Sequence, residues 1–383
     1  MYIWNIDAWP RLSFDEVKLA GPLKSLLHEH GRLVGRLEAM GMTGGAESLA
    51  EDITNDVLSS SEIEGELLDP DRVRSSVSRA LGLEVEGLPE PTPQENGAVD
   101  MVADAVQNYA AQITHERLFL WHERLFSDQQ IALRKILVGQ YRDDSRGEMQ
   151  IVSGPDYKPK VHYVAPPAQL VPQNMERLLD FVNDDESTLD PILRAGLAHL
   201  WFELVHPFED GNGRIGRAIV DLLLCRAVQS PHRYYRLSEE MLGNRKRYYR
   251  QLERAGKQTD PDVTPWMLWF VDTVSSAIHS AHEKLDEMVA RVSFWNQWED
   301  DIFNARQRKV VNLLLGGLEG KLSSSKYARL TKVSQDTASR DLNDMLEKGV
   351  MVKTGGGRST RFWLAGMVPE EEVHFRKFLR IRV

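Results

Sequence analysis

Apolar residues recur at three- and four-residue spacing over most of the chain, the pattern of helices that bury one face. The pattern starts at Val17, breaks at the proline-rich stretch Gly87-Leu-Pro-Glu-Pro-Thr-Pro93, and resumes from Gly97 to about Ala281. In that second stretch it predicts helices near 97–112, 115–126, 168–183, 191–205 and 213–228. Asp190 followed by Pro191 marks one start, a capping oxygen before a proline whose missing N–H has no role in the first turn. Met149 to Val164 switches period: two short β-prone runs flank Gly154-Pro155, which predicts a hairpin projecting from helices. Beyond 305 the elements shorten. Helices over 305–315, 324–330 and from Ser334 precede two β-runs about a glycine turn, the order of a winged helix-turn-helix. The expected class is mainly α. It divides into an N-terminal helical segment over 1–90, a helical body with its hairpin over 91–281, a linking helix over 282–304, and a winged helix-turn-helix over 305–383.

Length agrees with several domains, since 383 residues exceed what one core usually organises. An apolar fraction of 42% and a charged fraction of 27% exclude disordered and fibrous classes. The single cysteine, Cys225, lies in the apolar run Ile219-Val-Asp-Leu-Leu-Leu-Cys225 and excludes a disulfide framework or a cysteine-based zinc site. The first residues lack a basic leader, and no run approaches the roughly 18 apolar residues of a membrane span, so a cytoplasmic location without a membrane partner is expected. Charge is unevenly spread. Residues 305–365 hold 12 Lys/Arg against 5 Asp/Glu, a charge of +7, which leaves −17 for the rest of a chain that totals −10. The end of the chain is a basic module on an acidic body.

Candidate chemistry concentrates in His206-Pro-Phe-Glu-Asp-Gly-Asn-Gly-Arg-Ile-Gly-Arg217. Gly211-Asn212-Gly213 lets the backbone turn with several N–H groups pointing one way as a helix begins, which makes an anion site. Arg214 and Arg217, three apart, direct two guanidinium groups to one face, as a polyphosphate needs. Asp210 beside these donors suits a magnesium ligand. His206 supplies a base. Taken singly, each piece is an ordinary helix end or turn; within twelve residues they make a phosphate-handling catalytic loop.

These residues resemble the Fic family, whose signature His-Pro-Phe-x-Asp/Glu-Gly-Asn-Gly-Arg-x-x-Arg is matched from His206 to Arg217 at every specified position. The resemblance extends over about 97–270 and implies a helical Fic core with the hairpin as its flap. It implies transfer of AMP from ATP to a protein hydroxyl, with His206 as general base and Mg2+ as cofactor on Asp210. The phosphates would meet Gly211, Asn212, Gly213, Arg214, Ile215, Gly216 and Arg217, and Phe208 would anchor the loop. Tyr248 and Tyr249 would stand on the nucleoside side, unless the pair simply packs. In the flap, Ile151, Val152 and Ser153 would register an extended target segment by strand addition.

Upstream, Leu49, Ile53 and Val57 continue as a helical stripe to Ser60 and Glu64, seven residues beyond Val57 and so on the same face. Alternatively the helix ends near Ser59-Ser60-Ser61 and leaves Glu62, Glu64 and Glu66 as a solvated acidic tail. The resemblance favours the first reading, because Ser60-x-x-x-Glu64-Gly65 fits an inhibitory motif of one Fic class, carried on a helix of about 47–68. Glu64 would pair with Arg217 and occupy the arginine of the γ-phosphate. The same glutamate could also orient a water for removal of AMP.

Two other readings stand beside this one. The chain could be a DNA-binding regulator with a vestigial loop, through Gln335, Thr337, Ser339 and Arg340 of the third helix and Lys353, Arg358 and Arg361 of the wing. Asp336, Asp341 and Asp344 weigh against it, and winged helices also dock proteins. Within enzymes, the phosphotransfer branch of the same superfamily has a lysine where this chain has Gly213, which leaves transfer of AMP or of another nucleotide. ATP, a protein target and a second copy of the chain are the expected partners.

Overall fold

The computed structural model describes residues 1–127, 136–154, 158–298, 303–318 and 321–367. Pro155 at the hairpin turn, the side chain of Arg358 and the last part of the 305–383 module, 368–383, lie outside the described residues. The chain forms two compact units, Met1–Ala281 and His282–Val383.

The first unit is helical. α1 (Glu16–Ala39) opens under the Asp15 carboxylate, which accepts the Lys18 N–H, and buries Leu19, Leu26, Leu33 and Leu37. α2 (Ala46–Ile63) and α3 (Pro70–Ala80) follow. α4 (Pro93–Gln107) begins in a reciprocal Thr92/Glu95 capping box, four residues ahead of the apolar stripe that announces it. After α5 (His115–Leu125) come β1 (Gln150–Ser153) and β2 (Lys160–Val164), paired antiparallel with a register shift between Ile151 and Val152. α6 (Val171–Asn183), α7 (Pro191–Val205), α8 (Asn212–Val228), α9 (Leu237–Gly243) and α10 (Arg245–Gly256) complete the body, with the first half of α11 (Thr264–Gln297). α7 and α8 are its centre. Nearly every residue of both is buried, so they are covered on all sides: by each other, by α4 against α8 and by α6 against α7. α2 lies against α3, α4, α8 and α9. The corner where α7 turns into α8 holds the candidate loop.

The second unit has α12 (Ala305–Leu315), α13 (Ser324–Thr331) and α14 (Gln335–Glu347), then β3 (Met351–Thr354) and β4 (Arg361–Leu364), paired antiparallel. Val310, Val311, Tyr327, Leu342, Met345 and Phe362 form a core of its own. Among the described residues no helix is long and apolar enough to cross a membrane.

Candidate active site

α7 ends at His206, whose backbone takes the left-handed conformation (φ 50°, ψ 62°), an uncommon one for a residue with a side chain. Arg142 holds it there. The buried Arg142 guanidinium donates to the carbonyls of His206 (2.8 Å) and Pro166 (2.6 Å) and pairs with Asp144 (3.1 Å), while its own N–H donates to the Pro207 carbonyl (2.9 Å). The His206 Nδ1 faces the Glu203 carbonyl at 3.3 Å, which can only accept, so the proton sits on Nδ1 and Nε2 keeps its lone pair. Burial and the nearby charge of Arg142 lower the His206 pKa to about 4, so the imidazole is neutral near pH 7.

The loop that follows is tied from inside. The buried Phe208 ring stacks on His122 (4.3 Å between centroids). The His122 Nδ1 accepts the Gly139 N–H (3.1 Å), leaving Nε2–H for the Asp210 carbonyl (3.2 Å); burial lowers this histidine too, to about 4, and keeps it in the neutral form the pairing requires. Gly211 caps α8 at φ 77°, where a Cβ would be strained. One expectation changes here. The Asn212 side chain does not face an anion: it is 2% exposed, its oxygen accepts the Phe208 N–H (2.9 Å), and its amide donates to the Phe208 carbonyl (2.9 Å). What Asn212 offers a phosphate is its main-chain N–H in the first turn. The Ile215 side chain is likewise in the core, and Gly216 lies where a Cβ would press on Glu203 and His199, so both serve the packing of α8 on α7 rather than a ligand.

Both arginines are engaged from the N-terminal segment. The Arg217 Nε donates to the Ser60 hydroxyl (2.8 Å), and its Nη2 donates to the Ser60 carbonyl (2.8 Å) and to Glu64 Oε1 (2.7 Å). The Glu64 carboxylate also lies 3.4 Å from the Tyr249 hydroxyl, which donates to the Ile63 carbonyl at 3.0 Å. Burial pushes the Glu64 carboxyl up, but Arg217 and then Arg214 outweigh it and hold it below its ordinary value. Glu203, the other carboxyl near Arg217, is pushed up to about 8 by burial and by the charge of Glu64, so it is neutral at pH 7 and leaves Arg217 to Glu64. A Cβ at Gly213 would come within 2.2 Å of Glu64 Oε1; the space that this glycine opens over the start of α8 holds the Glu64 carboxylate. Arg214 stands over the Phe126 ring (5.2 Å) and pairs with Glu66 (2.6 Å). The Glu66 contact is absent from the sequence reading, which has Glu66 only as part of a solvated tail. Among the described residues, Arg217 Nη1 and Arg214 Nε are buried without a hydrogen-bond partner.

Of the paired tyrosines, Tyr248 is core: it is 1% exposed, its hydroxyl meets His199 Nε2 (2.9 Å), and its ring stacks on Trp269. That corrects the expectation of a nucleoside contact; Tyr249, beside Glu64, is the one at the site. In the flap, Ile151, Val152 and Ser153 lie on β1 of a two-stranded sheet, Val152 half exposed and Ser153 bonded to His162 Nε2 (2.5 Å). The Asp210 Oδ1 accepts the Gly211 N–H (2.6 Å), and the residue is exposed. Glu209 is bound to Arg146 (3.2 Å) and to the Leu137 N–H, so Asp210 is the acid left for a cation. A single carboxylate beside a phosphate site fits magnesium, which takes one or two carboxylates and completes its shell with phosphates and water. Arg142, His122 and Glu66 carry no signal in the sequence, because a lone polar residue, whether in a loop or on a helix like His122, shows its partners only after folding.

Residues 112–224 match the model of the Fic/DOC family, and residues 2–83 match a domain of unknown function (DUF4172). The protein adenylyltransferase fic-1 of Caenorhabditis elegans is 41% identical over 64 residues, which span 16% of this chain and 13% of that protein. Its counterpart in Caenorhabditis briggsae is 31% identical over 111 residues, 29% of this chain and 21% of that one. The protein adenylyltransferase Fic of Drosophila melanogaster is 30% identical over 139 residues, 34% of this chain and 26% of that one. The matched stretches thus span about a quarter or less of these relatives. Among solved structures, a Fic family protein from Desulfovibrio desulfuricans G20 shares the fold: it aligns over 91% of this chain and 97% of that one with a TM-score of 0.51, at 24% identity.

Proposed function

We propose that this chain, a member of the Fic/DOC family, is a protein adenylyltransferase that moves AMP from ATP to a Ser, Thr or Tyr hydroxyl of a protein, and that the arrangement described above is its restrained form. The observation that carries the reading is the convergence at one corner: a neutral His206 with Nε2 free to accept a proton, a helix start, and two arginines with buried, unpartnered N–H groups. The target hydroxyl oxygen would attack the α-phosphorus as its proton passes to His206 Nε2. The bond from the α-phosphorus to the bridging oxygen then breaks, and diphosphate leaves. Amides of the α8 start would receive charge that develops on the α-phosphate, and Arg214 and Arg217 the charge of the leaving diphosphate. Magnesium held by Asp210 would supply further neutralisation of that diphosphate. β1, with one edge unpaired in its two-stranded sheet, suits an extended target segment. Relatives described as protein adenylyltransferases support the same reaction.

Restraint follows from the same distances. An anion seated at the α8 start has to displace the Glu64 carboxylate from the space at Gly213, and a triphosphate needs the donors now held by Ser60, Glu64 and Glu66. The test is incubation with α-labelled and, separately, γ-labelled ATP, with the chain itself and added proteins as acceptors. Label on protein from the α-position, lost in His206→Ala, is the expected result. Transfer of the γ-label alone would refute the reading, and α-labelled UTP in place of ATP reports which base is accepted.

A further inference from the structure

We propose that the second unit binds duplex DNA, with α14 in the major groove and the β3–β4 hairpin beside the backbone. This goes beyond AMP transfer and does not depend on it. Acids along the third helix are the sequence-level objection, and one of the three, Asp341, turns out to face inward. Asp341 is buried and accepts from Arg306 Nε (2.8 Å) and Nη2 (3.0 Å), from Asn304 (3.0 Å) and from the Tyr327 hydroxyl (3.0 Å). Asp344 is paired with Lys348 (2.5 Å) and accepts from Gln307 (2.7 Å). Asp341 thus belongs to the packing of α14 on α12 and α13, and the part-exposed Asp344 carries its charge against Lys348.

The outer face of α14 is polar. Ala338, Leu342 and Met345 bury one side of α14, and the opposite stripe is exposed: Asp336, Arg340, Asn343 and Glu347, flanked by Gln335. These are base-reading chemistries, an arginine for guanine and amides for adenine, with Asp336 able to accept from cytosine. Glu347 lies in the last turn, the end that leaves the groove in helix-turn-helix docking. Exposed Arg329, Lys332 and Lys353 come from the end of α13, the α13–α14 turn and β3, where backbone contacts fall. The amide of Gln335 donates to the Ser324 hydroxyl (2.7 Å), so the starts of α13 and α14, each capped by a serine, lie side by side.

A protein partner would need different chemistry. Protein interfaces centre on apolar and aromatic anchors. Among the described residues of the second unit the exposed large hydrophobic side chains are Val292 and Met367, neither of them on α14 or on the β3–β4 hairpin. With no such anchor on α14 or the hairpin, Arg340, Asn343 and Gln335 beside Arg329, Lys332 and Lys353 outnumber the exposed Asp336 and Glu347 and match base edges and a phosphate backbone.

The full chain should bind a labelled random-sequence duplex of about two helical turns by fluorescence anisotropy. Affinity should fall at least about tenfold between about 50 and 200 mM salt. Arg340→Glu combined with Lys353→Glu should weaken binding by about tenfold or more, and selection from the random pool should return a preferred site that Arg340→Ala relaxes. Circular dichroism should be unchanged, because both residues are exposed. His206→Ala should bind DNA like the unaltered chain. Absence of salt-dependent binding, affinity indifferent to the charge reversal, or a protein crosslinked to α14 in a chain that does not bind duplex would overturn the proposal.

Discussion

Under the proposed function, Arg217 is where phosphate binding and restraint would compete for the same atoms. Its Nε and Nη2 are committed to Ser60 and Glu64, while Nη1 is buried with nothing to donate to. Removing Glu64 leaves the Ser60 contacts in place and frees one N–H of Nη2 and the space at Gly213. Glu64→Gly should therefore raise α-label transfer by about tenfold or more, within the usual range of coupling between two sites. An unchanged rate would separate Glu64 from any restraining role. Glu66→Gln should give a smaller rise, because Arg214 keeps its seat over Phe126. The lowered pKa of His206 is measurable by itself: its ring signals in an NMR titration should move with a midpoint near 4, against about 6.5 for an unperturbed imidazole. Its neutral form is the one folding favours, so that contribution to stability is lost as pH falls from about 6.5 toward 4. The signature residues were legible in the sequence by type and spacing. Their division of labour was not: Asn212, Ile215 and Gly216 lie in a loop and helix that must also be packed, and there their side chains serve the core.

At the scale of elements, α2 matters as a body, because Ser60 and Glu64 are only as well placed as the helix that carries them. Asp56 on α2 and Asp221 on α8 pair with the same guanidinium, Arg233, at 2.6 and 2.7 Å, and all three are buried. Breaking a buried cluster by deleting one member strands the remaining charges. Arg233→Ala should cost about 3–5 kcal/mol in reversible denaturation, whereas Arg236→Ala, whose pair with Glu51 is solvent-exposed on the glutamate side, should cost under about 1 kcal/mol. Equal losses would show that α2 is not held through Arg233. Periodicity marked α5, α7 and α8 to within about a residue, since long apolar stripes and an Asp-Pro start are local signals. It placed α4 four residues late, because there the Thr92/Glu95 box, and not the first apolar residue, sets the start. α2 runs past Ser59-Ser60-Ser61, whose side chains are buried against the body, but it ends at Ile63 with Glu64 as its cap, five residues short of the expected 68, because Gly65 in the left-handed region turns the chain away.

At the scale of the molecule, two units with separate cores differ in character, an acidic body that holds the candidate site and a basic module with a polar outer face. Independence is the expectation for two units with separate cores: charge reversal at Arg340 and Lys353 should leave α-label transfer unchanged within about twofold, while His206→Ala abolishes it. A parallel loss of transfer would mean that the second unit contributes to the reaction. The sequence by itself determined the helical class, the hairpin, the order of elements in both units and the contiguous motif of the candidate loop, because each is written in spacing over a few turns or in neighbouring residues. Only the tertiary structure decided what those residues meet. It brought Glu64 and Glu66 to arginines some 150 positions later, put Arg142 under the turn at His206, drew Tyr248 into the core and turned Asp341 inward. The physical reason is that a charge in a sequence has no partner until burial removes water and leaves it one.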